Sequence, residues 1–135
     1  MDNIKEFNKL TASFKKEETY LRKKGINTWN EIKILTDRDV FKLVGEGCGS
    51  IRNFRCLRCI ATFICDLDIQ QDEAALLMHS GIPSVKALAK SYPEAIHIKV
   101  TRLETILGTT GSPKTSLKKI IKWINKAKEK NLSST

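Results

Sequence analysis

Residues 72–96, DEAALLMHSGIPSVKALAKSYPEAI, predict a helix, a tight turn, a second helix and the start of a third. Ala74 and Leu77 recur at helical spacing, as expected of an apolar stripe that faces a core. Gly81 suits the end of the first helix, and the Ser84 hydroxyl can accept a hydrogen bond from the free amides that begin the next. The pattern indicates a helical hairpin.

The same pattern occurs 56 residues earlier in the chain. The matched pairs are Leu21 and Leu77, Gly25 and Gly81, Ile26 and Ile82, Thr28 and Ser84, Trp29 and Val85, Ile32 and Leu88, and Val40 and Ile96. Capping residues and apolar residues match together, which indicates an internal repeat. We therefore predict an all-α fold, a compact multi-helix domain built from two pseudo-repeated helical hairpin units plus a basic C-terminal helix.

The remaining helices follow from apolar spacing and capping signals. Residues 2–24 predict a leading helix with a break near residues 15–19, because apolar residues are sparse there. Capping boxes at Thr28 with Glu31 and Thr36 with Asp39 begin the next two helices. Further helices are expected at 51–66, at 96–107, ended by the glycines of 108–111, and from Ser112-Pro113 onward, with a frayed tail at 131–135.

Length and composition favour one soluble domain. The chain has 135 residues, of which 41% are hydrophobic, enough for one core. We divide the domain 1–135 into 1–47 (N-terminal helix and first hairpin), 48–110 (central helix and second hairpin) and 111–135 (basic helix and tail). No apolar run approaches the roughly 18 residues of a membrane span and no secretion signal is evident, so we expect a cytoplasmic protein without membrane contact.

A positive charge favours an anionic partner. Lys and Arg number 24 against 15 Asp and Glu, a net charge of +9. Such an excess favours contact with nucleic-acid phosphates or another acidic surface. The final 23 residues carry seven lysines and one glutamate, and the candidate phosphate ligands among them are Lys114, Lys118, Lys122 and Lys126. The alternative is a lysine-rich terminal helix that serves solubility.

A glycine-rich turn precedes the central helix. Gly47 and Gly49 can turn backbone amides toward a phosphate at the start of a helix. Arg52, Arg55 and Arg58 follow and span roughly 120° of the helix surface. These five residues form the main candidate phosphate site. The alternative is an ordinary connection whose glycines supply positive φ and whose arginines are solvated.

Four cysteines, Cys48, Cys56, Cys59 and Cys65, lie in the same segment. A Cys-x2-Cys pair is half of a zinc site, but on a continuous helix Cys65 points about 180° away from Cys56. Small semi-buried thiols explain the cluster better, with a redox pair as a further alternative. We predict no metal ion and no cofactor.

No combination of residues specifies catalysis. The carboxylates between 66 and 73 suit helix capping and the helix dipole. His79 and His97 each lack an evident nucleophile partner, and a lone histidine is usually structural. We predict a protein that is not an enzyme.

Several ordered pieces resemble a known family. They are Arg58-Cys-Ile-Ala-x-Phe-Ile-Cys-Asp-Leu, Glu73-Ala-Ala-Leu-Leu, Gly81-Ile, Leu88-Ala, Pro93-Glu and Trp123-Ile-x2-Ala127. Over residues 18–127 the chain resembles a small DUF4332-like family of a domain of unknown function, common in cyanobacteria and plastid lineages. The resemblance implies a tandem helix-hairpin-helix-like fold with possible DNA or RNA binding, and no catalytic residues. Gly81-Ile82-Pro83 departs from the Gly-apolar-Gly turn of such hairpins, which favours packing there.

Two functions of different class follow. The first is a helix-hairpin-helix-like module that contacts nucleic-acid phosphates with little sequence specificity. The second is a protein-interaction adaptor that uses whichever of Trp29, Phe41, Tyr92 and Trp123 remain exposed after folding.

Overall fold

The computed structural model describes residues 4–106 and 115–133, and every structural statement below concerns this part of the chain. It contains α-helices and one short 3-10 helix, Ala12–Phe14, so the predicted all-α fold is confirmed. In chain order the α-helices are α1 (Lys15–Lys23), α2 (Trp29–Lys33), α3 (Asp37–Gly45), α4 (Ile51–Leu67), α5 (Gln71–His79), α6 (Val85–Ala89), α7 (Pro93–Ile106) and α8 (Leu117–Ser133).

Helix α4 is the centre of the fold. It packs against α2, α3, α5, α6 and α8. Its buried side occupies about half of the circumference, which is typical of a helix with neighbours on several sides. The buried side chains are Phe54, Leu57, Ile60, Ala61, Phe63, Ile64 and Leu67. None of the described helices is long and apolar enough to cross a membrane.

The predicted leading helix over residues 2–24 is wrong in its first half. Residues 4–11 are not helical, because their backbone bonds to a distant segment. The Trp29 N–H donates to the Lys5 carbonyl at 2.7 Å, and the Phe7 N–H donates to the Asn27 carbonyl at 3.1 Å. The predicted break near 15–19 is also wrong, since those residues lie inside α1. Phe7 and Leu10 are nevertheless buried, at 4% and 8% exposure, whereas Ile4 is 75% exposed.

The predicted capping signals are largely confirmed. Gly25 and Gly81 have φ values of +79° and +92°. Each follows a helix that ends in a Schellman motif: the Ile26 N–H donates to the Leu21 carbonyl (2.9 Å), as the Ile82 N–H does to the Leu77 carbonyl (3.2 Å). The predicted caps are Thr28, Thr36 and Ser84, and each accepts a backbone hydrogen bond within the first turn of the helix that follows it.

Helices in the two halves occupy matching positions. Helices α1 and α5 begin and end 56 residues apart, as do α2 and α6, while α3 and α7 begin 56 residues apart. The fourth helices of the halves, α4 and α8, are each 17 residues long. Both begin after a serine whose hydroxyl accepts a hydrogen bond from the amide three residues on, at 3.1 Å for Ser50 and for Ser116.

The last helix begins later than predicted. Thr115 and Ser116 are not helical, and α8 starts at Leu117 after the Ser116 cap. The predicted glycine stop at 108–111 and the Ser112-Pro113 start lie outside the described residues. At the other end α8 continues to Ser133, so the described part of the predicted frayed tail is helical.

Candidate nucleic-acid interface

Gly47 ends α3. Its φ is +81°, and its N–H donates to the Val44 carbonyl at 3.0 Å, while the Cys48 N–H donates to the Leu43 carbonyl at 3.0 Å. These are the two bonds of a Schellman motif, as at Gly25. Both amides are therefore engaged within the chain, and the positive φ of Gly47 has a structural cause.

Gly49 lies beside a buried carboxylate. Its φ is +150°, and a Cβ built there would lie 2.6 Å from Cγ of Glu17. Oε2 of Glu17 accepts hydrogen bonds from the Ser50 N–H at 3.0 Å and from Nδ2 of Asn53 at 3.1 Å. The Ser50 amide at the start of α4 is thus bonded to the chain's own Glu17.

The three arginines of α4 have different surroundings. Arg58 donates to the Asp37 carboxylate at 2.7 Å and to the Leu35 carbonyl at 3.1 Å. These bonds attach the middle of α4 to the segment that begins α3. Arg52 and Arg55 are exposed, and neither forms an ion pair within the described part of the chain. Arg58 is therefore structural, whereas Arg52 and Arg55 are available to a ligand.

The lysines that were predicted to contact phosphate also differ in their surroundings. Nζ of Lys126 donates to the Leu67 carbonyl at 3.0 Å, which satisfies the C-terminal end of α4. Lys118 and Lys122 are exposed, and Lys114 lies outside the described residues. At 1.5 Å per residue, Leu67 is about 22 Å along α4 from Arg52. Arg52 and Lys126 are therefore at opposite ends of α4.

Charges are paired at the α4 C-terminus. A hydrogen bond from Lys5, and then its charge, holds the pKa of Asp68 below its usual range, with smaller contributions from Lys126 and Lys122. Lys33 forms an ion pair with Asp66 at 2.5 Å. Much of the positive charge at this end of the helix is thus compensated by aspartates.

Two cations near the N-terminal end of α4 were not among the candidate site residues predicted from the sequence. Lys15 and Lys16 form the first turn of α1, are exposed, and have no ion pair among the described residues. The Glu17 contact with Ser50 brings this turn beside the start of α4. We call Lys15, Lys16, Arg52 and Arg55 the α1–α4 cationic cluster. No local signal reveals it, because its two halves are separated by more than 30 residues.

The cysteines are free thiols. Burial, and then the nearby Cys56, raises the pKa of the Cys59 thiol to about 12, and Sγ of Cys59 lies 3.6 Å from the Ile82 carbonyl oxygen. Burial likewise raises the pKa of Cys65. A raised pKa disfavours the thiolate that redox chemistry and zinc binding need. Among the described residues, no three His, Cys, Asp or Glu side chains converge as metal ligands.

A cleft of about 770 Å³ lies between the N-terminal segment, α5, α7 and the start of α8. Its polar side chains contact one another. Oε1 of Gln71 accepts hydrogen bonds from Nε1 of Trp29 at 3.1 Å and from the Asn8 N–H at 2.9 Å. Nζ of Lys119 lies 2.6 Å from Oε2 of Glu73. These bonds join separate segments across the cleft.

The four aromatic residues proposed for a protein interface differ in how deeply they are buried. Trp29 and Trp123 belong to the core, at 1% and 4% exposure. Phe41 and Tyr92 are exposed, at 51% and 77%. Only the latter two are therefore available to a partner.

These features define a compact all-α protein with an exposed cationic cluster. The chain matches the family model described as "Domain of unknown function (DUF4332)" over residues 11–130. Because the match covers most of the chain, the protein belongs to this family, as the resemblance predicted. No curated protein and no solved structure matches the chain. The predicted cyanobacterial lineage and the helix-hairpin-helix relationship stay predictions.

Proposed function

We propose that the protein is a non-enzymatic, helix-hairpin-helix-like module that binds nucleic-acid phosphates with little sequence specificity through the α1–α4 cationic cluster. The observation that carries the proposal is where these cations lie. Lys15, Lys16 and Arg52 occupy the first turns of α1 and α4, where the helix dipole favours negative charge. An anionic partner at these helix ends would interact with both the cations and the dipoles.

The proposal narrows the set of contact residues. Arg52 and Arg55 would contact phosphates through their side chains, because the amides of Gly47, Cys48 and Ser50 are bonded within the chain. Lys118 and Lys122 form a second candidate contact on α8. Charge contacts of this kind carry no sequence information, which supports binding of either DNA or RNA.

Fluorescence anisotropy of labelled duplex DNA, single-stranded DNA and RNA across a salt series tests the proposal. We expect log K to fall linearly with log salt, and Arg52→Gln/Arg55→Gln to reduce the slope on duplex DNA by about 1.8, since each phosphate contact contributes about 0.9. The matched control is Lys99→Gln/Arg102→Gln, which removes equal charge from exposed positions on α7. Equal losses in both variants would show a general charge effect and contradict the site, and absence of binding by the unmodified protein at low salt would contradict the function.

A protein-interaction adaptor is the second candidate, favoured by exposed apolar side chains at α7. Tyr92, Ile98 and Ile106 are 77%, 58% and 72% exposed, which leaves their apolar surface available to a partner. A photo-crosslinking residue at position 92 would test this in cells, with the exposed Lys90 position as control. A discrete protein adduct at 92 and none at 90 is expected, and equal labelling at both positions would contradict it.

A further inference from the structure

Glu17 is a charged side chain in a buried position. It is 2% exposed, although it belongs to the first turn of α1. Its Oε2 atom accepts the bonds from Ser50 and Asn53, whereas its Oε1 atom is buried and has no hydrogen-bond partner among the described residues. Buried charged groups are normally fully paired, so a half-paired carboxylate points to a site with a specific purpose.

The carboxylate lies at the N-terminus of a long helix. Ser50 caps α4, and its N–H belongs to the amides at the positive end of the helix dipole, where anions bind. Gly49 allows the approach, since a Cβ there would lie 2.6 Å from Cγ and 2.7 Å from Cδ of Glu17. The turn therefore has the donors and the close backbone approach of an anion site, and the anion that fills it is Glu17.

We infer that Glu17 is an internal competitor that closes an anion site at the α4 N-terminus, and that the external ligand of this site is a phosphate group. The inference rests on the proposed function for its biological ligand, because Glu17 would control access to part of the surface that is proposed to bind nucleic acid. While Glu17 is in place, nucleic acid contacts this end of α4 only through the side chains of the α1–α4 cationic cluster. When Glu17 withdraws, the Ser50 N–H and Nδ2 of Asn53 become donors to a phosphate oxygen.

Phosphate suits this site better than another carboxylate. Phosphate carries more acceptor oxygens than Glu17, and the exposed Arg52 of the cluster lies two residues beyond Ser50 in the chain. The unpaired Oε1 atom weakens the hold of Glu17, because burial without a partner disfavours its present position. The free phosphate ion and the phosphodiester of a nucleic acid share this chemistry.

Calorimetric titration with inorganic phosphate at low ionic strength tests the inference. We expect Glu17→Ala to bind phosphate at least tenfold more tightly than the unmodified protein. Glu17→Gln is the matched control, because it loses the same charge but still fills the site and keeps an oxygen acceptor for Ser50 and Asn53. Equal gains in Glu17→Ala and Glu17→Gln, or no gain in a folded Glu17→Ala protein, would overturn the inference.

Folding of each variant is checked by circular dichroism. If Glu17→Ala does not fold, Glu17→Ser replaces it, since serine leaves room for an anion and retains a hydroxyl near the buried donors. Failure of both to fold would show that the carboxylate is a structural requirement and would overturn the inference. A parallel titration with oligonucleotide separates the two ligand sources: a gain with phosphate alone shows a site for the free ion, and a gain with both shows that the site serves nucleic acid. Absence of all oligonucleotide binding would refute the proposed function while the phosphate result still decides the role of Glu17.

Discussion

A series of glycine-to-alanine substitutions should separate backbone conformation from close contact in this fold. Gly25, Gly47 and Gly81 follow α1, α3 and α5 with φ values of +79°, +81° and +92°. A Cβ at any of them would meet no atom within 4 Å. Each substitution therefore changes only the backbone conformational energy, and the three should destabilise the protein by similar amounts.

The expected magnitude follows from the left-handed conformation. A side chain there costs about 1–2 kcal/mol, and the reduced freedom of the unfolded chain returns about 0.4–1 kcal/mol. The net loss is about 1 kcal/mol at each position, or about 3–5 °C in Tm for a domain of this size. Gly45 is the control, because it is helical and its Cβ would also meet open space, so Gly45→Ala should stabilise the protein by about 0.5–1 kcal/mol.

Gly49→Ala should behave differently. Its Cβ would collide with the Glu17 side chain, so Glu17 must move away from Ser50 and Asn53. Loss of hydrogen bonds to a charged group adds about 1.5–3 kcal/mol to the backbone cost. Urea unfolding followed by circular dichroism gives all five values under one set of conditions. A cost at Gly49 no larger than that at Gly47 would refute the close contact between this turn and Glu17.

Three further predictions concern single contacts. A double-mutant cycle between Arg58 and Asp37 should give a coupling below about 1 kcal/mol, because Asp37 is largely exposed, and a coupling above about 2 kcal/mol would contradict this. Lys126→Met should cost about 0.5–1.5 kcal/mol by removing the charged donor at the α4 C-terminus, whereas Lys118→Met should cost almost nothing in the same urea titration. Burial raises the pKa of the Cys59 thiol to about 12, above its usual value of 9.0, so the unfolded chain loses this proton first and stability should fall as pH rises from about 9 to 12. The fall should be smaller in Cys59→Ala, and an equal fall would contradict the shift.

Local signals were sufficient to predict much of the helical framework. Gly25 and Gly81 each lie just after a helix, where the chain adopts positive φ. Thr36 and Asp39 form a complete capping box. These features depend on residues within one turn of each other, so sequence spacing carries the information.

Contacts between distant segments could not be predicted. The helical spacing of residues 4–11 was misleading because backbone bonds from Lys5 and Phe7 to the segment around Trp29 hold them extended. Arg58 resembled Arg52 and Arg55 in sequence, yet only the folded chain brings Asp37 to it. The sequence therefore treated the three arginines as equivalent, and only the position of α3 distinguishes Arg58 from the other two.

Two glutamates that stand 56 residues apart, one in each half of the chain, have different bonding partners. They are Glu17 and Glu73, each in the first turn of the first helix of its half. Glu17 accepts a hydrogen bond from the Asn53 amide, whereas Glu73 pairs with the Lys119 ammonium, and Asn53 and Lys119 each lie three residues after a capping serine. In the second half a full positive charge balances the carboxylate, which leaves no reason for it to be displaced. In the first half a neutral amide is the side-chain partner, so the competition with external phosphate should be confined to the α4 N-terminus.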